Sequence, residues 1–277
     1  MSIKSNILSM IFKIYRIIFA RKFFIKFNKI LYHLSLNGIG ILNWENSKIS
    51  GEDFFLRSYL KDKTIKVIFD IGANEGSYSK EIMLLNPNVE LYAFEPHPKT
   101  FIKLQGIANK FYFKAFNVGV GVKNETKKIY DYKYKDGSQH ASIYKDVIKK
   151  IHKKESVAHK INIIKLDDFN KEYKIDKIDL LKIDTEGNEL NILMGAIDLI
   201  KNSKIDVIHF EFNEMNVYSR VFFRDFYELL VNYNFYRMLP DGLVFLGDYN
   251  PIYQEIFAYQ NIVAIRKDLK INFKKKV

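Results

Sequence analysis

Apolar runs bounded by polar turns divide most of the chain into alternating strands and helices. Continuous apolar segments typical of strands buried on both faces occur at 66–72 (KVIFDIG), 89–96 (VELYAFEP), 178–184 (IDLLKID) and 205–212 (IDVIHFEF). Segments with helical periodicity lie between them, at 77–86, 100–110 and 189–202. This alternation predicts an α/β domain with a mostly parallel, doubly wound sheet.

The remaining segments extend the same plan. The run FYFKAFNVGVG at 111–121 predicts a third strand, and 127–165 predicts hairpin strands around a polar middle. A helix is expected at 221–235, followed by an antiparallel closing hairpin from 236–247 and 260–267. Residues 3–36 predict one or two helices, so we divide the chain into a helical N-terminal extension (1–50) and a domain (51–277).

A glycine turn follows the first strand, in VIFDIGANEGSYS. A dinucleotide fingerprint, Gly-x-Gly-x-x-Gly counted from Gly72, would need glycines where the chain has Asn74 and Ser77. Asp70 would also repel a pyrophosphate but would suit a cation. S-adenosylmethionine carries a sulfonium, an ammonium and no phosphate, so the motif favours that ligand. The alternative is that Gly72 and Gly76 serve only the turn and its packing.

An acid at the end of the second strand fits a nucleoside. Glu95 follows Gly76 by 19 residues (95 − 76) and ends the strand YAFEP. A carboxylate there can accept hydrogen bonds from both ribose hydroxyls. Such a contact serves NAD and S-adenosylmethionine alike. The alternative is a surface acid that caps the next helix.

Polar side chains also end the later strands. Asp184 and Glu186 follow IDLLK, and His209 and Glu211 share one face of the next strand because side chains alternate. We expect these four residues to converge over the ligand at the carboxyl edge of the sheet. The alternative is that the two acids cap the following helix and that His209 is a packed strand residue.

Together these segments resemble the FkbM family of S-adenosylmethionine-dependent methyltransferases. The resemblance rests on IFDIGANEGSYS, YAFEPHPKTFIKL, DLLKIDTEGNELNILMGA, IHFEFNE and FAYQNIVAIRK, in that order over about residues 65–266. It implies a Rossmann-like class I methyltransferase fold and O-methylation of a hydroxyl of a sugar, glycan or secondary-metabolite precursor. The cofactor residues that it implies are Asp70, Gly72, Asn74, Gly76, Glu95, Asn117 on the adenine side, and Ser138 with Ser142.

The reaction that the resemblance implies requires activation of a hydroxyl. A neutral sugar hydroxyl is a poor nucleophile, so a base or a metal should assist. The candidate bases are Asp184, Glu186, Glu211 and His140. A less favoured alternative is Mg²⁺ held by oxygen ligands from Asp184, Glu186, Glu211 and Asn213.

Composition and net charge limit the kinds of bonds, metal sites and binding partners expected for the chain. The chain lacks cysteine, which excludes disulfides and thiolate metal sites and fits a cytoplasmic location. Its net charge is +12, but we find no RNA-binding block and expect no nucleic-acid partner. Two other functions stay open: a tRNA or rRNA methyltransferase, and a non-catalytic protein that binds a membrane surface or a complex on a methyltransferase scaffold.

The N-terminal extension is basic. Seven Lys or Arg residues and no acid precede Glu45. The apolar stretch at 7–20 is too short and too interrupted to span a bilayer. Its helices either dock on the domain or on a second subunit in a homodimer, or lie on the inner face of an anionic membrane.

Overall fold

A computed structural model describes residues 3–62, 64–134, 136–138, 141–144, 146 and 153–271. The α-helices in this part of the chain are α1 (Ile3–Phe19), α2 (Ile25–Gly38), α3 (Ser47–Ser50), α4 (Glu52–Tyr59), α5 (Ser77–Leu85), α6 (Pro98–Phe111), α7 (Leu166–Glu172), α8 (Glu189–Met194), α9 (Ile197–Lys201), α10 (Met215–Ser219), α11 (Phe223–Leu229) and α12 (Pro251–Gln254). The strands are β1 (Val67–Ile71), β2 (Glu90–Phe94), β3 (Lys114–Phe116), β4 (Gly119–Gly121), β5 (Glu125–Tyr132), β6 (Ser156–Lys165), β7 (Ile178–Ile183), β8 (Ile205–Phe212), β9 (Tyr233–Leu239), β10 (Gly242–Phe245) and β11 (Gln260–Arg266).

Eight strands form the main sheet, in the order β10-β9-β11-β8-β7-β1-β2-β3. The five strands from β8 to β3 are parallel, whereas β9, β10 and β11 pair antiparallel. This topology confirms the predicted doubly wound, mostly parallel sheet with antiparallel C-terminal strands. In the register, Ile71 lies opposite both Phe94 and Ile183, so three strands end at the same level.

The predicted third strand is two strands in different sheets. β3 pairs with β2 in the main sheet, but β4 pairs with β6 in a second sheet of order β4-β6-β5. The chain leaves the main sheet at Asn117, whose side-chain amide donates to the backbone oxygens of Glu95 and Pro96. The predicted hairpin strands are present as the antiparallel pair of β5 and β6.

Two predicted helices are shorter than expected. The segment 189–202 is broken into α8 and α9 near Gly195, where an added Cβ would lie 2.1 Å from the backbone oxygen of Gly121. The segment 221–235 is helical only to Leu229, because Tyr233 already begins β9. The closing hairpin has three strands, with β11 returning between β8 and β9.

Apolar clusters cover both faces of the main sheet. Phe69 and Phe210 belong to one cluster, whereas Ile68 and Val207 belong to the other, because neighbouring strand residues point to opposite faces. On the second face, α4 and α5 cover the sheet, and the carboxyl halves of the strands there carry polar side chains. On that face, apolar side chains pack against the helices, and polar side chains are available near the carboxyl ends of the strands.

The N-terminal helices pack little against the domain. The side chains of residues 7–18 are all exposed, and burial begins at Leu36 and Ile41. The backbone N–H of Leu42 then donates to the oxygen of Tyr259, which fixes this end to the sheet edge. Docking of residues 7–34 on their own domain, one of the two expectations, is therefore not observed. No helix in the described ranges is both long enough and apolar enough to cross a membrane.

Candidate active site

A cavity of about 780 Å³ opens at the carboxyl ends of the central parallel strands. It lies where the strand order reverses, since β2 extends the sheet on one side of β1 and β7 on the other. Ligands of doubly wound sheets bind at such a point. The strand-end residues predicted from the sequence that line it are Gly72, Asn74, Glu95, Asp184, Glu186 and Glu211.

Gly72 allows the three central strand ends to meet. Its φ of 77° is left-handed, and an added Cβ would lie 1.8 Å from the backbone oxygen of Asp184. The N–H groups of Gly72 and Ala73 both donate to the oxygen of Phe94, at 2.9 and 3.0 Å. A side chain at position 72 would therefore force the ends of β1 and β7 apart.

Glu95 presents a buried carboxylate to the cavity. Its two oxygens accept hydrogen bonds from the backbone N–H groups of Asn74 at 3.0 Å and His97 at 2.7 Å. Burial raises the pKa of Glu95 to about 7, and the negative charges of Asp70 and Asp184 add to this effect. Each carboxylate oxygen keeps a further lone pair for a ligand hydroxyl.

Asp70 lies beneath the cavity rather than on its wall. Its side chain is fully buried, accepts a hydrogen bond from Ser79 Oγ at 2.6 Å, and lies 3.7 Å from Lys182 Nζ. Lys182 also reaches Asp184 at 3.0 Å and lines the cavity. Lys182 is not among the residues predicted from the sequence, although a single lysine inside the strand IDLLKID is a visible signal.

Gly76 and Asn117 shape the surroundings of the site. Gly76 starts α5 with a φ of 88°, and an added Cβ there would lie 2.9 Å from the Leu104 side chain of α6. Asn117 is exposed and holds the turn after Glu95 through its side-chain amide. Asn117, predicted as an adenine-side contact, lies outside the cavity lining, whereas the neighbouring segment Val118–Val120 lines the cavity.

The serine-bearing segment contributes one wall residue and one support. Ser138 lines the cavity, and its Oγ donates to Asp131. Ser142 is buried, and its Oγ donates to the backbone oxygen of Glu186 at 3.0 Å. His140, one of the predicted bases, lies outside the described residues.

Carboxylates gather around Lys182 on the cavity wall. Burial raises the pKa of Glu211 well above its usual range, and the charges of Asp184, Glu186 and Glu52 raise it further. Burial would lower the pKa of Lys182, but Asp184 and the other acids outweigh it and raise that pKa. Lys182 is therefore a permanent cation, while Glu211 holds a proton more strongly than an ordinary carboxylate.

Glu52 is a site residue that the sequence did not reveal. It begins α4 and reaches the cavity from a segment outside the strand ends. Burial also raises its pKa. An acid in the first turn of a helix is common for dipole reasons, so no local signal distinguished it.

His209 shares the strand face of Glu211 but is packed below it. Tyr78 Oη lies 3.0 Å from its Nδ1, and Asn261 Oδ1 lies 3.1 Å from its Nε2. Burial and the nearby charge of Lys182 lower the pKa of His209 to about 4. A neutral ring with the proton on Nε2 satisfies both partners, so His209 supports the site from within the core.

With this geometry established, comparison with known proteins assigns the family. Residues 70–237 match the sequence model of the methyltransferase FkbM domain. The chain belongs to the FkbM methyltransferase family. It is also similar to the 2-O-methyltransferase NoeI of Sinorhizobium fredii (strain NBRC 101917 / NGR234), with 22% identity over 197 residues, which span 66% of this chain and 79% of NoeI.

Solved structures resemble the FkbM chain distantly. Precorrin-6y C5,15-methyltransferase from Geobacter metallireducens is 12% identical with a TM-score of 0.42, over 76% of this chain and 86% of that one. An rRNA methylase from Streptococcus thermophilus is 9% identical with a TM-score of 0.40, over 78% of this chain and 94% of that one. Because these TM-scores are below 0.5, the fold assignment rests on the strand order itself.

The cavity of this FkbM methyltransferase fits the donor that the family implies, S-adenosylmethionine. Among the described residues that line the cavity, nine are acidic and two, Arg57 and Lys182, are basic. Such a lining attracts the sulfonium and ammonium of that molecule. Glu95 lines the same space, beside the backbone turn at Gly72 and Asn74.

One cluster in the FkbM chain has the composition of a metal site. Within the described ranges, His97, Asp136 and His159 place ligand atoms within 4.8 Å of one another. Both Nε2 atoms face Asp136 Oδ1, at 2.9 and 2.7 Å, and His97 Nδ1 accepts from Thr100 N. This pattern requires a proton on His97 Nε2, the atom that would bind the metal, so the contacts form a hydrogen-bond network.

Proposed function

We propose that this FkbM methyltransferase transfers the methyl group of S-adenosylmethionine to a hydroxyl of a sugar, in a glycan or secondary-metabolite precursor. The observation that carries the proposal is Glu211, a carboxylate with a raised pKa on the cavity wall at the end of β8. The similarity to NoeI, a protein named as a 2-O-methyltransferase, supports transfer to oxygen.

Three strand-end residues are proposed to hold the cofactor. Glu95 would accept the ribose hydroxyls, and the left-handed turn at Gly72 and Asn74 would lie against the ligand. Asp70 and Gly76 would act indirectly, Asp70 by holding Lys182 and Gly76 by starting α5. When bound, S-adenosylmethionine supplies a methyl group on a sulfonium, which is electrophilic.

Glu211 is the proposed general base. Its raised pKa makes the ionised carboxylate a stronger base than an ordinary one, which favours proton transfer from a hydroxyl. The side-chain amide of Asn213 lies 3.4 Å from one of its oxygens and restrains it. Glu186 is the alternative base, since it lines the same cavity. The rest of the rate enhancement would come from holding the acceptor in line.

A neutral, hydroxyl-rich acceptor fits the cavity better than a polyanion. The nine acids of the described lining would repel a phosphate backbone, which argues against tRNA or rRNA despite the net charge of +12. Among the lining residues, Trp44 is 66% exposed and offers a flat apolar surface, while Tyr259 and the buried Asn213 add polar groups. These features suit the mixed surface of a sugar.

Two measurements test the proposal. Ligand at about 100 times its dissociation constant should add about 2.7 kcal/mol of stability, so S-adenosylhomocysteine should raise the melting temperature while NAD should not. Mass spectrometry of cell-surface glycans and metabolites, with and without the gene, should then reveal a methyl ether that depends on it. Stabilisation by NAD alone would exclude S-adenosylmethionine as the cofactor. Gene-dependent methylation confined to RNA would exclude a sugar hydroxyl as the acceptor.

A further inference from the structure

The N-terminal helices expose large apolar side chains on an unusual scale. In α1, Phe12 and Ile17 are each 58% exposed, and in α2, Leu34 is 62% exposed. Phe23, in the turn between these helices, is 87% exposed. Contiguous apolar surface of this kind marks a site that another partner covers.

The same segment carries Lys and Arg but no Asp or Glu. Its positive residues before Glu45 are Lys4, Lys13, Arg16, Arg21, Lys22, Lys26 and Lys29, and no Asp or Glu is among them. In α1, Ser9, Lys13 and Arg16 are spaced i, i+4 and i+7, so they share one polar stripe beside a broad apolar face. A basic, amphipathic helix of this design lies in the interface of a bilayer.

Specific contacts hold the two helices as an arm. Tyr15 Oη donates to Asn28 Oδ1 at 2.6 Å, and Asn28 Nδ2 donates to the backbone oxygen of Phe19 at 2.9 Å. The Phe19 ring packs against Phe24 and Phe27, with centroids 5.0 and 5.6 Å apart. These contacts join the two helices near their turn, while most of the apolar side chains of both helices stay exposed.

We propose that this arm, α1 and α2, binds the surface of an anionic lipid bilayer. Its apolar side chains would enter the boundary between headgroups and acyl chains, and its Lys and Arg side chains would contact lipid phosphates. Charge favours this occupant over a second copy of the chain, because two such arms would bring only positive charges together. The arm lies on the bilayer without spanning it, since the 17 residues of α1 are shorter than the hydrocarbon core.

The base of the arm adjoins the cavity. Leu36 is buried, Leu42 bonds to Tyr259, and Trp44 and Ser47 already line the cavity. A docked arm therefore holds the mouth of the site close to the membrane. This docking does not depend on which hydroxyl the enzyme methylates.

Vesicle co-sedimentation of the full chain tests the proposal. We expect binding to phosphatidylcholine vesicles that contain about one-third phosphatidylglycerol, and much weaker binding to phosphatidylcholine alone or at high salt. Lys13→Gln with Arg16→Gln should weaken binding about 25-fold, at roughly fivefold per basic side chain. Phe12→Ser with Ile17→Ser should also release the protein from the vesicles.

A matched control removes two exposed charges elsewhere. Lys171→Gln with Lys201→Gln changes α7 and α9 near the amino ends of β7 and β8, at the edge opposite the cavity. This variant should bind vesicles like the wild type, and every variant should still bind S-adenosylhomocysteine by calorimetry. A full chain that ignores anionic vesicles would overturn the proposal, as would arm variants that bind unchanged. A dimer in ultracentrifugation that Phe12→Ser with Ile17→Ser dissociates, without vesicle binding, would assign the arm to a second copy.

Discussion

The ionisation of Glu95 should make both stability and cofactor affinity depend on pH near neutrality. The residue is 6% exposed, and burial raises its pKa from an ordinary value of 4.5 to about 7. Its two backbone hydrogen bonds, from Asn74 and His97, oppose this rise without cancelling it. The substitution Glu95→Gln removes the ionisation and keeps the size and one acceptor of the side chain.

The sign follows from the raised pKa. Glu95 favours the folded state fully below about pH 4.5, and this contribution is lost as the pH rises through about 7. The difference of about 2.5 pH units, at roughly 1.36 kcal/mol each, corresponds to about 3 kcal/mol. The free energy of unfolding of Glu95→Gln minus that of the wild type should therefore increase by roughly 2 to 3 kcal/mol as the pH rises from 5 to 8.

Urea unfolding at each pH measures this difference in the protein without ligand. Glu90→Gln is the matched control, since it removes an exposed glutamate at the other end of β2. Its stability relative to the wild type should change little over the same range. A constant difference between Glu95→Gln and the wild type from pH 5 to pH 8 would refute the assignment of the raised pKa.

Ligand binding should show the opposite preference. Ribose hydroxyls donate hydrogen bonds and so favour the ionised carboxylate of Glu95, which means that each pH unit below about 7 weakens binding about tenfold. Calorimetry with S-adenosylhomocysteine from pH 5.5 to 8.5 measures this slope, and two buffers of different ionisation enthalpy reveal the proton released. Glu95→Gln should bind more weakly with a flat profile. Equal slopes in both proteins would remove Glu95 from the ribose site.

Substitutions at three further positions, two of them with a comparison variant, test the site. Glu211→Gln should lower turnover about 100-fold or more while cofactor binding survives, with Glu186→Gln as the comparison; wild-type turnover in both would remove the carboxylate base. Gly72→Ala should abolish cofactor binding and unfold at lower urea, because its Cβ would lie 1.8 Å from a backbone oxygen, whereas Gly106→Ala in α6, with open space, should gain up to about 1 kcal/mol. Lys182→Met should cost about 3 to 5 kcal/mol by leaving buried carboxylates uncompensated, and an unchanged urea midpoint would contradict that role.

The ends of the parallel strands were predictable from the sequence because the apolar run of each strand stops at a recognisable residue. A continuous apolar run identifies a buried parallel strand, and the residues just after it lie at the carboxyl edge. Gly72, Glu95, Asp184 and Glu211 follow such runs or end them, and all four line one cavity. The family assignment, carried by the same segments, was confirmed by the match over residues 70–237.

Other features depend on tertiary packing that no local pattern encodes. Asp70 precedes Gly72 by two residues and shares its strand face, but α4 and α5 cover that face and bury the carboxylate against Lys182. Glu52 reaches the cavity only because α4 crosses the strand ends. The run at 111–121 divides between two sheets, and the polar residue Asn117 marks the division.

Where charges lie is more informative than their sum. The net charge of +12 suggests an anionic partner, yet the described cavity lining is strongly acidic, and the seven N-terminal cations are fully segregated from acids. At physiological ionic strength, charges separated by more than about 8 Å are largely screened, so each surface acts on its own partner. An acidic cavity beside a basic arm therefore suits a cationic donor in the site and an anionic surface outside it. A nucleic-acid substrate would have to enter the acidic cavity to be methylated. Of these two surfaces, only the basic arm has the charge to bind a nucleic acid.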